Sequence, residues 1–76
     1  MTLPSVIQIA ADVFSVPTSA LSAESSPESV AAWDSVQHLN LVMAIEEKFN
    51  LQFDPEDYDS MKSLGHIAGL VDARRG

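Results

Sequence analysis

Asp34, Ser35 and His38 lie within five residues of one another and supply the three residue types of a serine nucleophile, an acid and a base. A catalytic triad needs more: the histidine held between nucleophile and acid, an oxyanion hole beside the serine, and a substrate cleft. If this stretch is helical, His38 projects nearer the core side than the Ser35 side. No Gly-rich nucleophile elbow surrounds the serine either. Hydrolysis is therefore a poor use of these residues, and the chain reads as a non-enzyme. The alternative chemistry is attachment. Asp34 can cap the helix that follows, which leaves the Ser35 hydroxyl free to point outward. A phosphate ester at that position would lie near the positive end of the helix dipole and near unpaired backbone N–H groups. The plainer use of such a serine is simply to begin a helix.

Other candidate chemistries are weaker. His38 and His66 are single histidines without a ligand-spaced partner, so no metal site is expected. Asp54, Glu56, Asp57 and Asp59 cluster, but without the spacing or central glycine of an EF-hand loop, and they read as a solvated face. Gly65 and Gly69 follow no strand and make no phosphate loop; they either permit close packing or weaken the helix that holds them.

The elements that must position Ser35 follow from apolar periodicity. Leu3, Val6, Ile7, Ala10, Val13 and Phe14 recur at helical spacing and predict an amphipathic helix over residues 3–14, with Pro4 tolerated in its first turn and Pro17 marking its stop. Residues 15–33 are rich in Ser, Ala and Pro and predict a long loop, with Val16, Leu21, Val30 and Trp33 as anchors to the core. Asp34 is the expected N-cap of a second helix running to Phe49 and Asn50, with Gln37 placed for a capping box. A short third helix is expected from Asp54-Pro55, and a last one from Leu64 to about Ala73, with Arg74 and Arg75 near its C-terminus. No strand-like alternation of useful length is present. The predicted class is all-α: a small four-helix bundle, three longer helices and one short, forming a single domain over residues 1–76.

Placed on a wheel, the second helix has two apolar stripes. Leu41, Val42, Ile45 and Phe49 fall within about 100° of one another and form the core stripe. Val36, Leu39 and Met43 lie nearly opposite. Either the long loop covers this second stripe, or Val36 and Met43 remain exposed as a docking surface. Asn40, Glu46 and Glu47 nearby favour docking, because an apolar strip among acids suits transient binding to basic partners, and Met suits contact with several of them.

Composition limits the partners further. The 76 residues, 46% apolar, allow one modest core and no large enclosed pocket besides. A net charge of −7 disfavours nucleic acid and anionic lipid and attracts basic protein surfaces. There is no cysteine, hence no disulfide and no thiolate site. The apolar runs are too short for a membrane span, and the N-terminus lacks the pattern of a secretory signal. A cytoplasmic monomer is expected.

The stretch from Trp33 through Asp34-Ser35-Val36-Gln37-His38-Leu39 to Glu46-Glu47-Lys48-Phe49 resembles the Asp-Ser-Leu region and second helix of acyl carrier proteins. The resemblance runs along nearly the whole chain. It implies that Ser35 receives 4′-phosphopantetheine from coenzyme A by the action of a phosphopantetheinyl transferase, with Asp34 aiding recognition. It further implies that Val36, Leu39, Met43, Glu46 and Glu47 face the transferase and the acyl-loading, synthase or transferase enzymes, and that Phe53 and Met61 lie near the arm and its cargo. The thiol that forms the thioester would belong to the prosthetic group. Trp33 stands where fatty-acid carriers usually have a smaller aliphatic residue, Val36 replaces the usual leucine, and Asn40 stands where an acid is frequent. These departures suggest a specialised carrier for lipid modification or secondary metabolism. An aminoacyl or peptidyl carrier, or a helical adaptor that never carries cargo, are the alternatives.

Overall fold

A computed structural model describes residues 2–75, without the side chains of Asp59, Ser60 and Arg75; the expectations placed on the Asp59 and Arg75 side chains therefore fall outside the described groups. Four α-helices follow in the predicted order: α1 (Thr2–Phe14), α2 (Ser35–Phe49), α3 (Pro55–Ser60) and α4 (Leu64–Arg75). No strand occurs among the described residues. The core is built from one face of each long helix. Val6, Ala10, Ala11 and Phe14 from α1 meet Leu41, Val42 and Ile45 from α2 and Leu64, Ile67, Ala68 and Val71 from α4. The principal helix contacts are those of α1 with α2 and of α1 with α4. Burial of the larger of these side chains, from valine upward, is worth roughly 1.5–3 kcal/mol each and carries most of the stability.

The loop is more ordered than a flexible connection. A single 3₁₀ turn (Thr18–Ala20) interrupts it, Leu21 and Trp33 are buried, and Val16 and Val30 pack against the core as anchors. Its polar groups do a further job that its composition did not announce. The carbonyls of Ser25 and Ala23 accept the N–H groups of Leu64 (3.0 Å) and Gly65 (2.9 Å), and Ser63 Oγ accepts that of His66 (3.1 Å). The first N–H groups of α4, which have no acceptor within a helix, are thus satisfied by the loop and by the preceding serine. Gly65 suits this approach: a Cβ there would stand a tight 3.1 Å from the Ala23 carbonyl oxygen, whereas a Cβ at Gly69 meets nothing within 4 Å. The close-packing reading therefore applies to Gly65 alone.

The helix ends mostly follow the sequence. Asp34 caps α2 by accepting the Gln37 N–H (2.9 Å), and Asn50 closes it in the left-handed region at φ 53°. The expected reciprocal half of the capping box is absent. The Gln37 side chain reaches instead to the Val13 carbonyl (3.2 Å), an acceptor that the end of α1 leaves without a helical donor, and so ties α1 to α2. At α3, Pro55 takes the first helical position and the Asp57 carboxylate accepts the Asp54 N–H (3.0 Å). Arg74 of α4 pairs with Asp57 and with Asp54 (3.2 Å). The hydrogen bond to Asp57, then its charge, hold the guanidinium above its already high ordinary value, so the arginine end of this tie keeps its charge at any physiological pH.

The candidate attachment site and its groove

Ser35 is the first residue of α2 and is exposed. The Asp34 carboxylate is turned to the Gln37 N–H, and the first helical bond runs from the His38 N–H to the Asp34 carbonyl (2.8 Å). With the cap supplied by its neighbour, the Ser35 hydroxyl has no hydrogen-bond partner among the described residues. Directly beside it lies an open groove of about 640 Å³. Trp33, His38 and Met61 line its inner part, while Pro27, Leu39 and Tyr58 contribute from the loop, α2 and α3.

His38 organises this groove. Trp33 Nε1–H donates to His38 Nδ1 (3.0 Å), which leaves the imidazole proton on Nε2, and Nε2–H donates to the Tyr58 carbonyl (3.0 Å). The imidazole and indole planes lie 22° apart with ring centroids at 6.0 Å, and the indole packs on Phe14 at 5.5 Å. Both ring nitrogens are committed, neither of them to Ser35. The dyad that a hydrolase would need is not formed.

The remaining candidates separate into two groups. Val36, Leu39 and Met43 are 68%, 50% and 57% exposed, so the loop does not cover the second stripe of α2. Asn40 and Glu47 are exposed beside them. Glu46 is different: one carboxylate oxygen accepts the Phe53 N–H (2.8 Å) and fixes the α2–α3 connection. Met61 is buried and lines the groove, whereas Phe53 is not among the groove residues and is buried in the core. The Trp33–His38–Tyr58 link went unread in the sequence, although one signal for it exists: a buried indole N–H needs an acceptor, and His38 stands five residues on. Tyr58 contributes only a backbone carbonyl, which no side-chain pattern announces.

An all-helical domain with an uncommitted serine hydroxyl at a helix start beside an open groove has the form of a carrier module rather than of an enzyme. Residues 4–71 match the family model described as phosphopantetheine attachment site. The chain is 26% identical over 74 residues to an acyl carrier protein of Prochlorococcus marinus (strain MIT 9515), covering 97% of this chain and 92% of that protein. It also superposes on the solution structure of holo acyl carrier protein from Geobacter metallireducens with a TM-score of 0.86 at 32% identity, over 96% of this chain and 84% of that one. The chain belongs to the acyl carrier protein family of phosphopantetheine-binding domains, a family of carriers and not of enzymes, and its prosthetic group is a covalently bound 4′-phosphopantetheine.

Proposed function

We propose that the chain carries its 4′-phosphopantetheine on Ser35 and holds acyl intermediates there as thioesters, passing them between enzymes of fatty-acid, lipid-modification or secondary-metabolite synthesis in the cytoplasm. One observation carries this reading: the Ser35 hydroxyl is exposed and, among the described residues, free of hydrogen bonds, at the first position of a helix that Asp34 already caps. The residues around it suit the group. The N–H groups of Ser35 and Val36 open the helix without intrahelical acceptors and favour a phosphodiester, and the groove beside Trp33 and Met61 offers a semi-apolar bed to a pantetheine chain. When bound, the arm supplies the thiol that forms the thioester. The protein holds the ester at one place, which raises the effective concentration of cargo at each partner's active site.

Val36, Leu39, Met43 and Glu47 form the docking face in this reading, with Glu46 bracing the loop beside it. A few exposed apolar anchors with a strongly acidic surface favour fast, weak, salt-sensitive encounters with basic patches on the transferase and on acyl-handling enzymes. The test is intact-mass measurement after incubation with coenzyme A, magnesium and a promiscuous phosphopantetheinyl transferase. One arm should be added to the wild type and none to Ser35→Ala; equal loading of the two would place the attachment elsewhere.

A further inference from the structure

The groove beside Ser35 has walls from three separate parts of the chain, and one side chain joins them. Trp33 comes from the end of the long loop, His38 from α2 and Tyr58 from α3. Among these, α3 is the element with least of the bundle behind it: the principal helix contacts are those of α1 with α2 and with α4. It is fastened on one side by the Arg74 pairs to Asp54 and Asp57, and on the other by His38 Nε2–H to the Tyr58 carbonyl.

We propose that His38 is a positioning residue for the phosphopantetheine arm: its neutral ring ties Trp33 to α3 and so holds the two walls of the groove in which the arm lies, and protonation of that ring loosens them. The placement of the arm rests on the reading of Ser35 as its attachment point; the tie itself does not. The chemistry is fixed by the hydrogen-bond directions. Nδ1 accepts the indole N–H only while it carries no proton. A protonated ring presents an N–H at both nitrogens, so the Trp33 donor loses its acceptor while the bond to the Tyr58 carbonyl survives. Trp33 is 2% exposed, and leaving a buried N–H without an acceptor is costly enough to favour rearrangement of the indole. Asp34, the cap of α2, and Tyr58 of α3 are the titratable side chains that share the groove with the ring; Trp33 and Pro27 from the loop and Phe14 from α1 bring none.

The tryptophan is the only one in the chain and reports on the tie directly. The indole N–H resonance and the fluorescence of Trp33 are followed from about pH 8 to 5, the range in which histidine side chains commonly change charge, together with both imidazole titrations. The unmodified wild-type protein should show a Trp33 transition that tracks His38 and not His66, which is exposed on α4. The transition should persist in His66→Gln and vanish in His38→Gln. A Trp33 signal that stays flat while the wild-type His38 ring titrates would overturn the tie, and so would the same transition persisting in His38→Gln; the wild-type measurement decides even if that variant does not fold. In the protein loaded with its arm, arm resonances should move with the same midpoint. Arm resonances indifferent to a clear Trp33 transition would confine His38 to the fold and refute the positioning role. Failure of Ser35 as the attachment residue shows separately, as a mass unchanged by the transferase or as a Ser35→Ala variant that loads as well as the wild type.

Discussion

At Asp34 and Ser35 two adjacent residues divide the work that one serine could have done. Had Ser35 been the cap, its hydroxyl would have been held by a backbone N–H and turned away from solvent. Asp34 accepts that N–H instead, and the serine is left exposed. Asp34→Ala should therefore lower stability by about 1 kcal/mol, the usual worth of an N-cap, measured by urea denaturation. A change within a few tenths of a kcal/mol would mean that the cap seen here is not what holds the first turn of α2. The cap was legible in the sequence because its donor lies at a fixed spacing along the helix. The partner of Gln37 was not, because the amide prefers an unsatisfied carbonyl on another helix, and only the packed fold brings Val13 within reach.

Among the elements, α2 carries the two faces that its wheel displayed. Leu41, Val42 and Ile45 are fully buried on one, and Val36 and Met43 stand mostly in solvent on the other. Periodicity identifies both stripes but cannot say which of them the loop covers. That depends on where the loop is held, and it is held on α4 by the Ala23 and Ser25 carbonyls and on Phe14 of α1 by Trp33. The two glycines of α4 test this placement. Gly69→Ala should stabilise by up to about 1 kcal/mol, since its Cβ enters open space and alanine is the better helix former. Gly65→Ala should destabilise, because the Ala23 carbonyl that its Cβ would crowd at 3.1 Å also accepts the Gly65 N–H and cannot withdraw without lengthening that bond. Equal effects at both sites would contradict the latch between loop and α4. Of the latch the sequence offered only Gly65 as a residue that permits close packing, since two of the three acceptors are backbone carbonyls.

The whole molecule carries a net charge of −7, and among the described residues its exposed large apolar side chains are Val36, Leu39 and Met43, all on α2. Such a balance favours encounter over tight association, because long-range attraction speeds approach while the apolar contact remains small. The transferase's kcat/KM for this chain should therefore fall as salt is raised and surface charges are screened, with the change residing in KM more than in kcat. Insensitivity to salt would shift the weight of recognition onto Val36, Leu39 and Met43 alone. At this scale the fold was the most legible feature of all: four amphipathic or capped segments with short acidic α3 between them leave few ways to bury the core. The groove was the least legible, being assembled from a loop tryptophan, a helix histidine and a carbonyl of α3. The central claim is chemical and local, and fragmentation of the transferase-treated chain in a mass spectrometer, locating the arm along the sequence, tests it most directly. A single arm is expected, on Ser35. An arm on any other residue, or a chain that takes none, would contradict it.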